Sequence, residues 1–186
     1  MINFLCQNGI LRAFLAALIL AALSTLGDFL WAHFEIKHRM FAGILHGALL
    51  CLCLGAVLGY ARGSVKSVLL GALGGLGVGI LSAGGFYLFR PLIRFGAMIV
   101  AWMELWLLTA LLYQWVGNVS GGLKSACVRG SIAAVGSGLA FYAISGIWTD
   151  HSPGGPNYSY NFLCWTIAFL PGFLALFYKR VPAELE

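Results

Sequence analysis

Six apolar runs follow one another along this chain, each close to the ~20 residues that an α-helix needs to cross a hydrocarbon core of about 30 Å. Hydropathy with charge punctuation places them at Leu11–Phe34, Met40–Tyr60, Val68–Phe89, Phe95–Val116, Cys127–Trp148 and Phe162–Tyr178. The separators are short and polar or basic: "EIKHR", "ARGSVKS", "RPLIR", "GNVSGGLKSA" and "TDHSPGGPNYSYN", with the tail "KRVPAELE". Backbone groups in lipid have no water to bond, so runs of this length must satisfy themselves as helices. The expected fold is all-α, a polytopic transmembrane helix bundle of six spans. With no repeat of about 20 to 50 residues and no low-complexity linker, residues 1–186 read as a single integral membrane helical domain.

Composition excludes the soluble alternatives. The chain is 61% hydrophobic and only 9% charged, whereas soluble domains are about a quarter charged. Arg12 followed by "AFLAALILAAL" has the charge and apolar core of a signal peptide, but the run continues past Leu23 without a small-residue cleavage site. It reads as the first membrane helix. The net charge of +5 comes from Lys and Arg scattered singly or in pairs, with no basic stripe, so a nucleic-acid partner is not expected. Cys6, Cys51, Cys53, Cys127 and Cys164 form no CxxC pair and read as small apolar packers.

An even number of spans puts both termini on one side. That side carries Arg12, Arg62, Lys66, Lys124, Arg129, Lys179 and Arg180, against Lys37, Arg39, Arg90 and Arg94 opposite. The excess of basic residues makes the terminal side cytoplasmic, in a plasma or inner membrane. Small residues recur every fourth position in four spans: Ala13, Ala17 and Ala21; Gly43, Gly47, Cys51, Gly55 and Gly59; Gly71, Gly75, Gly79 and Ala83; Gly130, Ala134 and Gly138. Such seams let backbones approach closely where apolar side chains gain little by meeting. In the sixth span, Pro171 and Gly172 predict a kink that frees the carbonyl of Ile167.

The stretch "GDFLWAHFEIKHRMFAGILHG", Gly27 to Gly47, gathers much of the charge. Glu35, Lys37, His38 and Arg39 sit in the turn, where a charge run is ordinarily solvated. Asp28 and His46 each lie roughly 9 Å inside their helices at the helical rise, and Glu104 roughly 13 Å inside the fourth. Ionisable groups at such depth cost about 2.5 to 3.5 kcal/mol on insertion scales, so they should face protein or water. The candidate ligand-binding residues are therefore Asp28, His46 and Glu104, with Trp31 beside them. Asp150, His151, Tyr158 and Tyr160 of the basic-free outer loop would rim a pocket opening outward. The same three deep groups would serve equally to fix helix register by pairing with each other or with backbone.

No HExxH, HxxxH or CxxC spacing is present, so no metal and no cofactor is expected. GxSxG is absent as well, which removes the usual serine hydrolase signature. Helix count, the cytoplasmic ends and the Ala13, Ala17, Ala21 seam resemble the substrate-binding subunits of energy-coupling-factor transporters; size and helix count are also similar to the sterol-sensing partner proteins called Insigs. The resemblance covers architecture and carries over no site residue. The leading expectation is a non-enzymatic protein that binds or passes a membrane lipid or small apolar ligand in the outer half of the bundle. The alternatives are an intramembrane enzyme using Asp28, His46 and Glu104 on a lipid, and a scaffold or assembly subunit with a membrane-protein partner.

The orientation is checked by single cysteines at Ser64 and Ser152 in a cysteine-free background, which are expected to label from opposite sides of the membrane. Labelling of both from one side would overturn either the span count or the pairing of loops.

Overall fold

In the computed structural model, residues 9–35, 37–60, 64–117, 121–148 and 157–177 are described. They form six α-helices and no strand: α1 (Gly9–His33), α2 (Arg39–Tyr60), α3 (Val65–Ile93), α4 (Ala97–Gly117), α5 (Gly122–Trp148) and α6 (Tyr158–Phe177), with a 3-10 turn at Arg94–Gly96. Five helical stretches are long and apolar enough to cross a membrane, and one of them, Val65–Val116, is 52 residues long and contains both α3 and most of α4. Drawn out straight it would reach about 78 Å at 1.5 Å per residue. It doubles back instead. Pro91 weakens the last turn of α3, and Arg94 adopts a left-handed φ of 50°, its N–H bonded to the Arg90 carbonyl.

Helix ends differ from the sequence expectation in three places. Charge punctuation predicts that the third helix stops at Phe89, but α3 runs through Arg90 and Pro91 to Ile93, because one arginine at an interface is readily solvated and does not end a helix. Gly121 and Gly122, both at positive φ, launch α5 from within the predicted fourth separator. Tyr158 and Tyr160, expected in the outer loop, belong to the first turn of α6. The side-chain oxygen of Asn157 accepts from the Tyr160 N–H at 3.0 Å, capping that helix a turn earlier than hydropathy predicts.

The helices alternate in direction and pack as an antiparallel series. The closest approach is between α2 and α3, backbone against backbone. A methyl group on Gly55 would overlap the Gly71 carbonyl, one on Gly75 the Cys51 carbonyl, and one on Gly59 the Ser67 carbonyl. Gly47 has more slack, since a methyl there would lie 3.1 Å from the Ala83 Cβ. The α5 seam meets α4, Gly130 facing the Leu107 backbone and the Ala110 methyl. The alanine seam of α1, with Ala13, Ala17 and Ala21 fully buried, belongs to the helix that packs extensively along α6 and only sparsely on α2. Two cysteines depart from the expected packing role: Cys51 and Cys164 are buried, but Cys53 and Cys127 are exposed. For Cys53 the reason is helical phase, as two residues turn it about 200° from Cys51. Cys6 lies outside the described residues.

Gly75→Ala, measured by thermal melting of the detergent-solubilised protein, is expected to destabilise by about 1 to 3 kcal/mol through overpacking. Gly77 has open space around its Cα, so Gly77→Ala is expected to leave melting unchanged or raise it slightly. Equal melting of the two variants would show that the glycine column is not the tight contact.

Candidate functional site

The alanine seam seats α1 on α6 and continues upward through Ser24, which is fully buried, to Asp28. There the Trp165 indole N–H of α6 donates to the Asp28 carboxylate at 2.8 Å. His46 of α2 lies over Gly27, whose missing side chain leaves room for the imidazole, and it is within electrostatic reach of Asp28. A carboxylate, an imidazole and an indole from three helices thus meet around Asp28, with α6 on one side and α2 on the other. All three are half-buried. One turn deeper, the hydroxyl oxygens of Ser24 and Thr25 are buried with no hydrogen-bond partner among the described residues.

An aromatic rim closes the cluster toward the chain ends of α1 and α6. Phe29 packs edge-on against Tyr158 at 5.4 Å and stacks on His33 at 5.5 Å. Trp31 is half-buried nearby in sequence, and Tyr160 is half-buried in the first turn of α6. Asp150 and His151 lie outside the described residues.

Below Trp165 runs a continuous aromatic column. Trp165 stacks on Phe169 at 5.3 Å, Phe169 meets Trp102 at 5.7 Å, and Trp102 stacks on Trp106 at 6.5 Å. Trp106 then meets Phe173 at 5.2 Å, and Phe173 stacks on Phe177. Gly172 makes room for Trp106, since any side chain there would overlap the indole. Beside it the Gly172 N–H, next to Pro171, donates to the Ser137 hydroxyl of α5 at 3.0 Å. The indole N–H groups of Trp102 and Trp106 are buried without partners among the described residues. Trp165 and this column are what sequence reasoning missed. Their signal was present in the i, i+4 spacing of Trp102 with Trp106 and of Trp165, Phe169, Phe173 and Phe177, but spacing does not reveal that two such stripes share one interior.

Glu104 stands apart. Its carboxylate packs on Gly85 of α3, where the absent side chain admits it, and its Oε2 is buried without a hydrogen-bond partner among the described residues. Neither a hydrogen bond nor an electrostatic link joins it to Asp28 or His46. The structure therefore brings Asp28 and His46 together and adds Trp165, while Glu104 occupies the α3–α4 contact. Among the described residues no three His, Cys, Asp or Glu side chains gather into a metal-binding group. A cleft of about 310 Å³ lies at the opposite end of the bundle, lined by Ser64, Lys66, Ser67, Leu70, Trp115 and Val116.

A double-mutant cycle of Asp28→Ala and Trp165→Phe, read by thermal melting, is expected to give a coupling energy of about 1 kcal/mol, because each substitution removes one partner of the same partly buried bond. Strict additivity would mean that the indole and the carboxylate do not interact.

No family model, curated protein or solved structure matches this chain, so the functional reading rests on the geometry alone.

Proposed function

We propose that this is a six-span membrane protein with both termini cytoplasmic, and that it binds the polar end of a lipid or small amphiphile at Asp28 and His46 in the outer half of the bundle. The observation that carries the reading is the position of this pair. It lies where α1 meets α2, consecutive helices that nevertheless pack only sparsely on each other. A sparse lateral seam gives an amphiphile a way in from the bilayer, and an ionisable pair at membrane depth gives its polar end a partner. Trp165 holds the carboxylate in place, and Phe29 with Tyr158 supplies an apolar cover. The six-span count is supported by the doubling back of Val65–Val116, which brings Gly74 against Leu112 and Gly85 against Glu104. The orientation is supported by the excess of basic residues on the terminal side.

Binding without turnover fits the same site. The aromatic column beneath the pair is a filled interior. Ser24 and Thr25 present their oxygens one turn away as hydrogen-bond partners for a bound polar group or water.

The test is mass spectrometry of the gently solubilised protein, counting small molecules that co-purify. A bound species is expected in the parent chain and is expected to fall about tenfold or more in Asp28→Asn and in His46→Ala, the effect of losing one charge-assisted bond, with melting retained. An undiminished species in both variants, or loss of folding in place of loss of ligand, would sink the proposal.

A further inference from the structure

A second cluster of polar groups lies where α2 begins and α3 ends. Arg39 opens α2 and Arg90 lies in the last turn of α3. The Tyr87 hydroxyl donates to the Arg39 carbonyl at 2.7 Å, tying the two helix ends together. Arg90 is held from the other side, its guanidinium 5.8 Å above the Phe86 ring, and Phe86 in turn packs edge-on against Tyr87 at 5.0 Å. Both guanidiniums are within electrostatic reach of the Tyr87 phenol. Two exposed cations thus flank one hydroxyl, Arg90 set by the Phe86 ring and Arg39 by the helix end whose carbonyl Tyr87 holds, and neither forms an ion pair among the described residues.

Two exposed cations brought to one pair of helix ends raise the local positive potential, which attracts an anion. We propose that Arg39 and Arg90 form a clamp for the phosphate of an anionic phospholipid. Guanidinium is the side chain best matched to phosphate, since its planar fork donates two parallel hydrogen bonds to one group. Exposed apolar side chains close to both arginines in sequence favour a lipid over a free anion: Phe41, two residues into α2 from Arg39, is 66% exposed, and Leu88, two residues before Arg90 in α3, is 68% exposed, so acyl chains have surface to lie along. Neither guanidinium is paired with a carboxylate among the described residues, and both repel the ammonium of choline or ethanolamine, which favours a headgroup with net negative charge. The site uses no residue of the Asp28 cluster; it rests on the membrane reading of the chain but not on ligand binding at Asp28 and His46.

The clamp is tested with the full chain in a neutral detergent, by native mass spectrometry during titration with phosphatidylglycerol, phosphatidylcholine or inorganic phosphate. One phosphatidylglycerol is expected to bind most tightly, and Arg39→Gln or Arg90→Gln is expected to weaken it about tenfold, as for loss of a charge-assisted pair. Arg39→Lys keeps the charge but not the fork and is expected to fall in between, while Lys124→Gln at the opposite end and Asp28→Asn are expected to bind as the parent does. Counting bound lipid on the folded ions keeps the comparison valid if a variant is less stable. Saturable binding of inorganic phosphate with the same arginine dependence would retain the phosphate site but overturn the lipid as its occupant. Equal affinity for phosphatidylcholine, or equal loss in Lys124→Gln, would overturn the clamp.

Discussion

The arrangement depends first on how closely α2 and α3 approach. Lipid gives apolar side chains little reason to prefer each other, so helices associate where backbones can come into contact. Along Gly55, Gly59, Gly71, Gly75 and Gly79 there is no room for even a methyl group. That contact fixes the antiparallel register of the pair, and the register carries Tyr87 to the Arg39 carbonyl at one end. It also leaves the remaining faces of α3 free for α4, which arrives after the sharp turn at Arg94 and places Glu104 on Gly85.

The other half of the bundle is held differently. Where α4, α5 and α6 meet, large rings take the place of glycine columns. Trp106 is 1% exposed and Phe173 fully buried, and each ring packs against the next with the geometry that aromatic pairs favour. Small residues still act here, but as sockets: Gly172 receives Trp106, and Ser137 takes the N–H of Gly172 beside Pro171, sparing a polar group in a dry interior. The base of the Asp28 cluster is the top of this column, since Trp165 belongs to both. On the proposed reading, the aromatic floor would orient the end of an amphiphile and the sparse α1–α2 seam would admit it.

The sequence by itself determined that the chain is helical and membrane-compatible, because run length and the need to satisfy every backbone group in lipid leave no other choice. It also marked the glycine and alanine seams, since close backbone contact demands small residues at helical spacing. It placed Asp28 and His46 at one level, as both count back from the same short turn. The tertiary structure alone decided which helices the seams join. Ala13, Ala17 and Ala21 lie on a helix that packs on α6, the element most distant in sequence, and only sparsely on the adjoining α2. It decided that Trp165 is the partner of Asp28, that Glu104 belongs to the α3–α4 contact, and that Arg39 and Arg90 share Tyr87. Periodicity states which residues share a face of one helix; it contains nothing about which other helix that face will meet, because the choice is settled by how all six surfaces fit at once.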